Sequence, residues 1–206
     1  MCVDQLVEDA LKLSLYTKIG DQGKTTFFGC GLVSKDDARI HAMGALDELN
    51  SVIGLTLCFV EDEKIKELLL KIQNDLFQLG ADIAGTDMQT KKLPFIHDQH
   101  IKELEGLIDD FHNNKLRELK SFILPGGTLS GALLHLSRAV TRRAERDLVT
   151  LKKVVPHLNQ ETLIYVNRLS DFLFCLARYA NKDYDVKEQE PIYKYFEPNN
   201  TEAKNI

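Results

Sequence analysis

From residue 36 to residue 181, apolar side chains recur every three or four positions, the spacing of one face of an α-helix. Ile40, Met43, Leu46, Ile53 and Leu57 predict a helix over 36–59, and Ser34 with Asp37 three later resembles a capping box at its start. Ile65, Leu68, Ile72, Leu76, Leu79 and Ile83 predict a second over 62–84. Ile101, Leu104, Ile108 and Phe111 predict a third over 98–113. Leu133, Val140, Ala144, Leu148 and Leu151 predict a fourth over 128–153, which Pro156 breaks. Leu163, Val166, Leu169, Leu173 and Leu176 predict a fifth over 157–181. Five amphipathic segments with short connections predict an all-α fold, an antiparallel five-helix bundle. Residues 16–35 break the pattern: four glycines and three threonines there predict a loop with at most a short extended piece. Residues 1–15 are weakly amphipathic and peripheral. The polar stretch 182–206, punctuated by Tyr184, Tyr193, Tyr195 and Phe196, predicts a flexible tail. One domain spans 1–206.

Composition narrows the class. The chain has 206 residues, of which 44% are hydrophobic and 28% charged, as in an ordinary globular domain. A net charge of −5 argues against a general nucleic-acid binder. Cys2, Cys30, Cys58 and Cys175 show neither metal-type spacing nor a disulfide framework, which predicts a reducing, cytoplasmic compartment. Asp4, Glu8 and Asp9 do not suit a secretory or transit segment. No apolar run approaches the roughly 18 residues of a membrane span.

Within that acidic chain one stretch is strongly basic. Arg138, Arg142, Arg143 and Arg146 fall with Glu145 inside nine residues of the fourth helix. Arg138, Arg142 and Glu145 share a stripe roughly opposite the apolar one. A guanidinium row suits the oxygens of a small polyanion; it also suits a solvated face with intrahelical ion pairs. The loop Gly20-Asp21-Gln22-Gly23-Lys24-Thr25 lacks the spacing of a Walker phosphate loop, yet its amides, threonines and lysine could cradle phosphates. On the first helix Gly44, Asp47, Ser51 and Gly54 form a small, polar stripe that permits close helix approach, and Asp47 needs a cation if it is buried. On the fifth, Asn167, Asp171 and Arg178 make a polar stripe, with Asn167 either orienting a ligand or closing a helix–helix hydrogen bond. His97 and His100 have the spacing of a metal pair but no third ligand, so no metal site is assigned.

Three blocks together resemble one family. The first is Tyr16-Thr17-Lys18-Ile19-Gly20-Asp21-Gln22-Gly23 with Lys35-Asp36-Asp37 and Gly44-Ala45-Leu46-Asp47-Glu48-Leu49-Asn50-Ser51. The second is Phe122-Ile123-Leu124-Pro125-Gly126-Gly127 with Arg138 and Arg142-Arg143-Ala144-Glu145-Arg146; the third is Asn167-Arg168-Leu169-Ser170-Asp171. In this order, over about 16–181, they resemble the PduO-type ATP:cob(I)alamin adenosyltransferases. The resemblance implies a homotrimer of helical bundles with active sites between subunits. The implied reaction moves the 5′-deoxyadenosyl group of ATP to the cobalt of reduced cobalamin and releases triphosphate, with Mg²⁺ accompanying the nucleotide. Carried over by position, ATP meets Thr17, Lys18, Ile19, Gly20, Thr25, Thr26 and Lys35 from one subunit. Arg142, Arg143, Ala144, Glu145, Arg146 and Asn167 come from its neighbour. Arg142 and Lys35 act on the phosphates, and Phe122 lies against the corrin and helps displace its lower axial base. Asp47 pairs with Arg138 across the interface. Two departures stand out: Ile19 occupies a position where the family commonly has threonine, and Phe27 with Phe28 makes the loop more apolar than usual. A corrinoid reductase and an adenosylcobalamin-dependent enzyme are the implied protein partners; no nucleic acid or membrane is implied.

The residue inventory suits that chemistry. Cob(I) is itself a strong nucleophile, so no serine, cysteine or general base is required. The protein must place the 5′ carbon in line between cobalt and the departing triphosphate, and neutralise the charge that develops there. A non-catalytic ATP or cobalamin carrier would share the same blocks and differ only in turnover.

Overall fold

The computed structural model describes residues 16, 18–27, 30–85, 95–182, 184 and 186–192. Five helices carry the bulk of the chain: α1 (Ala38–Leu57), α2 (Glu63–Gly85), α3 (Asp98–Asp110), α4 (Leu129–Val154) and α5 (Gln160–Lys182). The helix boundaries follow local hydrogen bonding more closely than apolar spacing does. Asp37 is itself the N-cap of α1, its carboxylate accepting from Arg39 N at 2.8 Å, so the helix starts two residues later than expected. Asn159 Oδ1 accepts from Glu161 N at 3.1 Å, which delays α5 to Gln160. The third helix ends at Asp110 and passes into a π-turn, Phe111–Lys115. The segment 16–35, expected as a loop, holds a 3₁₀ turn (Ile19–Gln22) and an antiparallel hairpin of β1 (Lys24–Phe27) and β2 (Gly31–Ser34), paired Lys24 to Ser34 and Phe27 to Gly31. Alternation drives it: Phe27 is buried, Thr25 half-buried, and Lys24 and Thr26 face out.

Helix α5 is the axis of the bundle. Tyr165, Val166, Leu169, Phe172, Leu173, Leu176 and Ala177 have no exposed surface, so it is covered on almost every side. It packs on α4 and α3; α4 also packs on α1, and α1 on α2. The apolar stripe of α4 runs through Leu134, Val140, Ala144, Leu148 and Leu151, with the expected Leu133 only half-buried. On α1 the core falls to Ala42, Ala45, Leu46, Leu49 and Ile53, while Ile40, Met43 and Leu57 pack at its edge. Thr56 Oγ1 and Ser137 Oγ meet at 3.2 Å in the buried α1–α4 seam, where small side chains let the helices approach.

Buried polar groups on the remaining helices are tied across the bundle. Tyr165 donates to Asp75 Oδ2 at 2.8 Å, joining α5 to α2. Asp82 Oδ2 accepts from Asn159 Nδ2 at 2.7 Å, Thr162 Oγ1 at 3.1 Å and Ile96 N at 3.2 Å. That carboxylate pins the start of α5 and the approach to α3 against the end of α2. His97 and His100 are occupied at the N-terminus of α3: His97 N donates to His100 Nδ1 at 3.3 Å, and Gln78 holds the other ring nitrogen at 3.2 Å. No helix among the described residues is long and apolar enough to cross a membrane.

A site between helix four, the hairpin and the Phe122 loop

The arginine row of α4 divides by depth. Ala144 is buried with Val140 and Leu148, so its methyl belongs to the core while its motif neighbours face outward. Arg142, Arg143 and Arg146 are exposed on the outer side. Arg143 forms an ion pair with Glu48 of α1. Arg146 Nη1 donates to the backbone oxygen of Arg142 at 2.9 Å. Arg142 has no carboxylate partner among the described residues. Glu145 is half-buried and accepts from Asn167 Nδ2 at 2.8 Å. Asn167 Oδ1 in turn accepts from Arg168 Nη1 at 3.0 Å, and Arg168 Nε reaches Glu105 at 2.8 Å. A polar relay thus crosses from α3 through α5 to the arginine row.

One turn earlier the environment is drier. Burial, and then the nearby Arg142, lower the affinity of Arg138 for its proton. Its Nε is buried with no hydrogen-bond partner. His135 is buried too, with Nδ1 unpartnered and its ring 5.9 Å from that of Phe174. Burial first and Arg138 second push its pKa below the usual histidine value. Asp47, expected to meet Arg138, lies exposed on α1 and has no partner among the described residues of the same chain.

The hairpin segment offers a second group of donors. Lys18 adopts a left-handed backbone, φ 62°, and caps the 3₁₀ turn. Ile19 is exposed, Thr25 half-buried and Thr26 exposed. The ammonium of Lys35 lies over Gly20: a Cβ there would sit 3.1 Å from Nζ. Backbone bonding from Lys35 N to Gly23 O at 2.8 Å closes this arrangement. Thr17 lies outside the described residues. The close packing of α4 is with α1 and α5, while Phe27 and Val33 seat the hairpin against the core.

The third part is the loop before α4. Phe122 is 80% exposed. The loop is fastened at both ends to α5. At its start Arg178 Nη2 donates to Arg117 O at 2.9 Å. At its end the side chain of Asn181 accepts from Thr128 N at 2.8 Å and donates to Gly126 O at 2.9 Å. Gly127, φ +107°, is required here twice over, because a Cβ would collide with the Asn181 side-chain amide and the conformation disfavours other residues. Thr128 then caps α4 through Gly131 N at 3.0 Å. The chain after α5 returns to this loop. Glu188 pairs with buried Arg178 at 2.5 Å, and Leu124 N donates to Gln189 O at 2.7 Å. The stretch expected to be a flexible tail therefore includes, over 186–192, a segment bonded to the bundle.

The profile of the family described as cobalamin adenosyltransferase matches residues 15–180. The chain belongs to that family. A corrinoid adenosyltransferase of Bacillus subtilis (strain 168) is 42% identical over 174 residues, 82% of this chain and 87% of the relative. One from Mycobacterium tuberculosis (strain ATCC 25618 / H37Rv) is 43% identical over 176 residues, 84% of this chain and 91% of the relative. A variant of the PduO-type ATP:corrinoid adenosyltransferase from Lactobacillus reuteri, solved in complex with cobalamin and ATP, superposes with a TM-score of 0.81 at 38% identity, covering 86% of this chain and 96% of that one. In this cobalamin adenosyltransferase Arg168, Arg178, Asn181 and Glu188 join the site's framework without having been singled out as site residues. Arg178 left a signal in the sequence as a cation on an otherwise apolar face, and Arg168 as a member of the third block; Asn181 and Glu188 left none.

Proposed function

We propose that this cobalamin adenosyltransferase transfers the 5′-deoxyadenosyl group of ATP to reduced cobalamin. The cobalt(I) electron pair forms the bond to C5′; the C5′–oxygen bond breaks, and its electrons leave with triphosphate. The observation that carries this reading is the uncommitted guanidinium of Arg142 on a row whose neighbours are already oriented: Arg146 by the Arg142 carbonyl, Glu145 by Asn167. A departing triphosphate needs cations that are held in place and not already neutralised. Lys35 over Gly20, with Thr25 and Thr26 on the hairpin, supports the nucleotide from the other side. Phe122 presents an exposed ring that suits the face of the corrin and excludes water and an axial ligand there.

The site is completed by a second copy, and we read the assembly as a homotrimer. Two features support this: Arg138 has a buried Nε that needs an acceptor, and Asp47 is exposed without a partner among the described residues of its own chain. An Asp47–Arg138 pair between subunits would answer both. Asp47→Asn should then shift the protein toward smaller species in sedimentation velocity and lower turnover. An unchanged assembly with unchanged kinetics would reject the pair.

Among the described residues no group of three or more His, Cys, Asp and Glu side chains is arranged to hold a metal. Mg²⁺ therefore fits as an ion carried on the phosphate oxygens, where it would help neutralise the leaving group. The decisive experiment is incubation with ATP and chemically reduced cobalamin, read as the spectrum of the alkylated corrinoid with release of triphosphate. Tight binding of both substrates without that spectrum would mean a carrier rather than an enzyme.

A further inference from the structure

One cavity lies away from the arginine row. It has a volume of about 510 Å³ and lies between α5, the start of the Phe122 loop and the segment 186–192. Arg117, Arg178, Lys182 and Lys187 line it, against the one carboxylate of Glu188. Such a surplus of positive charge is conspicuous on a chain of net charge −5. Its members differ in commitment. Arg178 is buried and bound by Glu188, and Lys182 Nζ donates to Lys115 O at 2.9 Å. Arg117 and Lys187 are exposed and have no carboxylate partner among the described residues. A smaller cavity of about 170 Å³, lined by Glu118, Lys120, Ser121, Ile123 and Glu190, shares Glu188 with it and is the more acidic of the two. Glu188 thus borders both the basic cavity and the one beside the Phe122 loop.

The substrate chemistry supplies an anion for this pocket. Cobalamin carries its lower axial base on a tether that contains a phosphodiester, and the base must leave cobalt before cobalt can become a four-coordinate nucleophile. We propose that the basic cavity receives the phosphodiester of the displaced nucleotide tail, with Arg117 and Lys187 as its ligands and Glu188 as the internal anion that occupies Arg178 until the tail arrives. This inference rests on the adenosylation reading above. Charge selects the ligand: a phosphodiester has two free oxygens and one negative charge, which suit an arginine fork beside a lysine. Holding the tail there would favour the base-off form by giving its anion a site available only after displacement.

Cobinamide, the corrinoid that lacks the nucleotide tail, separates this site from the rest of the reaction. The measurement is KM at saturating ATP for cobalamin and cobinamide, both reduced, with the full-length chain. Arg117→Ala combined with Lys187→Ala should raise KM for cobalamin about tenfold, the scale of losing charged contacts at a partly wet site, and move that for cobinamide less than about twofold. Glu188→Gln should act in the opposite direction, lowering KM for cobalamin alone, which general damage to the tail could not do. Equal changes for the two corrinoids, or no change for cobalamin, would overturn the proposal. If the unsubstituted protein alkylates neither corrinoid, the adenosylation reading fails first and this one with it.

Discussion

Asn167→Asp is the sharpest probe of the relay behind the arginine row. Asn167 donates to Glu145 at 2.8 Å and accepts from Arg168 at 3.0 Å. The substitution keeps the shape and replaces a donor with an acceptor, so two carboxylates face each other at that separation. At an effective dielectric constant near 20 their repulsion would be about 6 kcal/mol. The pair has an escape: at pH 7 an ordinary carboxyl can take up a proton at a cost of about 4 kcal/mol, some three pH units at 1.36 each. Both side chains are half-buried, and Arg168 can turn toward the new charge, so screening brings the expected loss to about 1–3 kcal/mol.

That loss has a pH signature. The folded variant holds a proton that its unfolded chain has released, so its stability rises as pH falls from 8 toward 5. Asn167→Ala removes the same hydrogen bond without adding charge, and should cost about 1 kcal/mol at every pH in that range. Thermal melts should therefore show the Asp substitution about 2–4 °C below the Ala substitution at pH 8, converging near pH 5. Turnover of ATP should fall at least about tenfold in both, because Glu145 loses its orientation. A melting gap that stays constant from pH 5 to 8 would refute the contact between Asn167 and Glu145.

Other consequences follow from the same coordinates. Arg142→Ala should lower kcat/KM for ATP by about 10–100-fold, the worth of one charged phosphate contact, with a melting profile unchanged because the side chain is exposed and unpaired; near-normal turnover would move the phosphate site elsewhere. Tyr165→Phe should lower stability in urea by about 1–2 kcal/mol, since a fully buried hydroxyl leaves Asp75, while KM for ATP holds. Burial and Arg138, against the opposing field of Glu188, make folded His135 a weaker base than its unfolded counterpart, so as pH falls below about 6.5 the unfolded chain binds the proton more readily. Stability should therefore decline from pH 7 to pH 5, and His135→Gln should flatten that slope in thermal melts.

The helices were readable because burial imposes a period on the sequence, and where that period crosses the arginine motif it decides which side chains go inward. Ala144 sits inside the arginine motif and was assigned to the ligand with its neighbours. Yet Val140, Ala144 and Leu148 repeat every four residues, and the structure buries all three. The hairpin was harder to read: its alternation covers only four residues per strand and is interrupted by glycine. Glu188 could not be found from pattern at all. Its partner Arg178 lies ten residues away across the end of a helix, and only the return of the chain to the Phe122 loop joins them.

Depth, not identity, assigns the arginines. Four occur within nine residues, and their spacing alone does not say what each already holds. The structure separates them by what each already holds. Arg143 is engaged by Glu48, so using it on a phosphate means breaking or sharing an existing pair. Arg138 has lost water at Nε without gaining an acceptor, a demand that a fixed carboxylate from another subunit meets better than a substrate that comes and goes. Arg142 has neither an acidic partner nor a buried donor to satisfy, and its carbonyl holds Arg146 in position beside it. A leaving group gains most from a cation whose charge is unspent before it departs. Arg142 is therefore the member of the row on which triphosphate release should depend most steeply, and Arg143 the one whose replacement should first disturb the packing of α4 on α1.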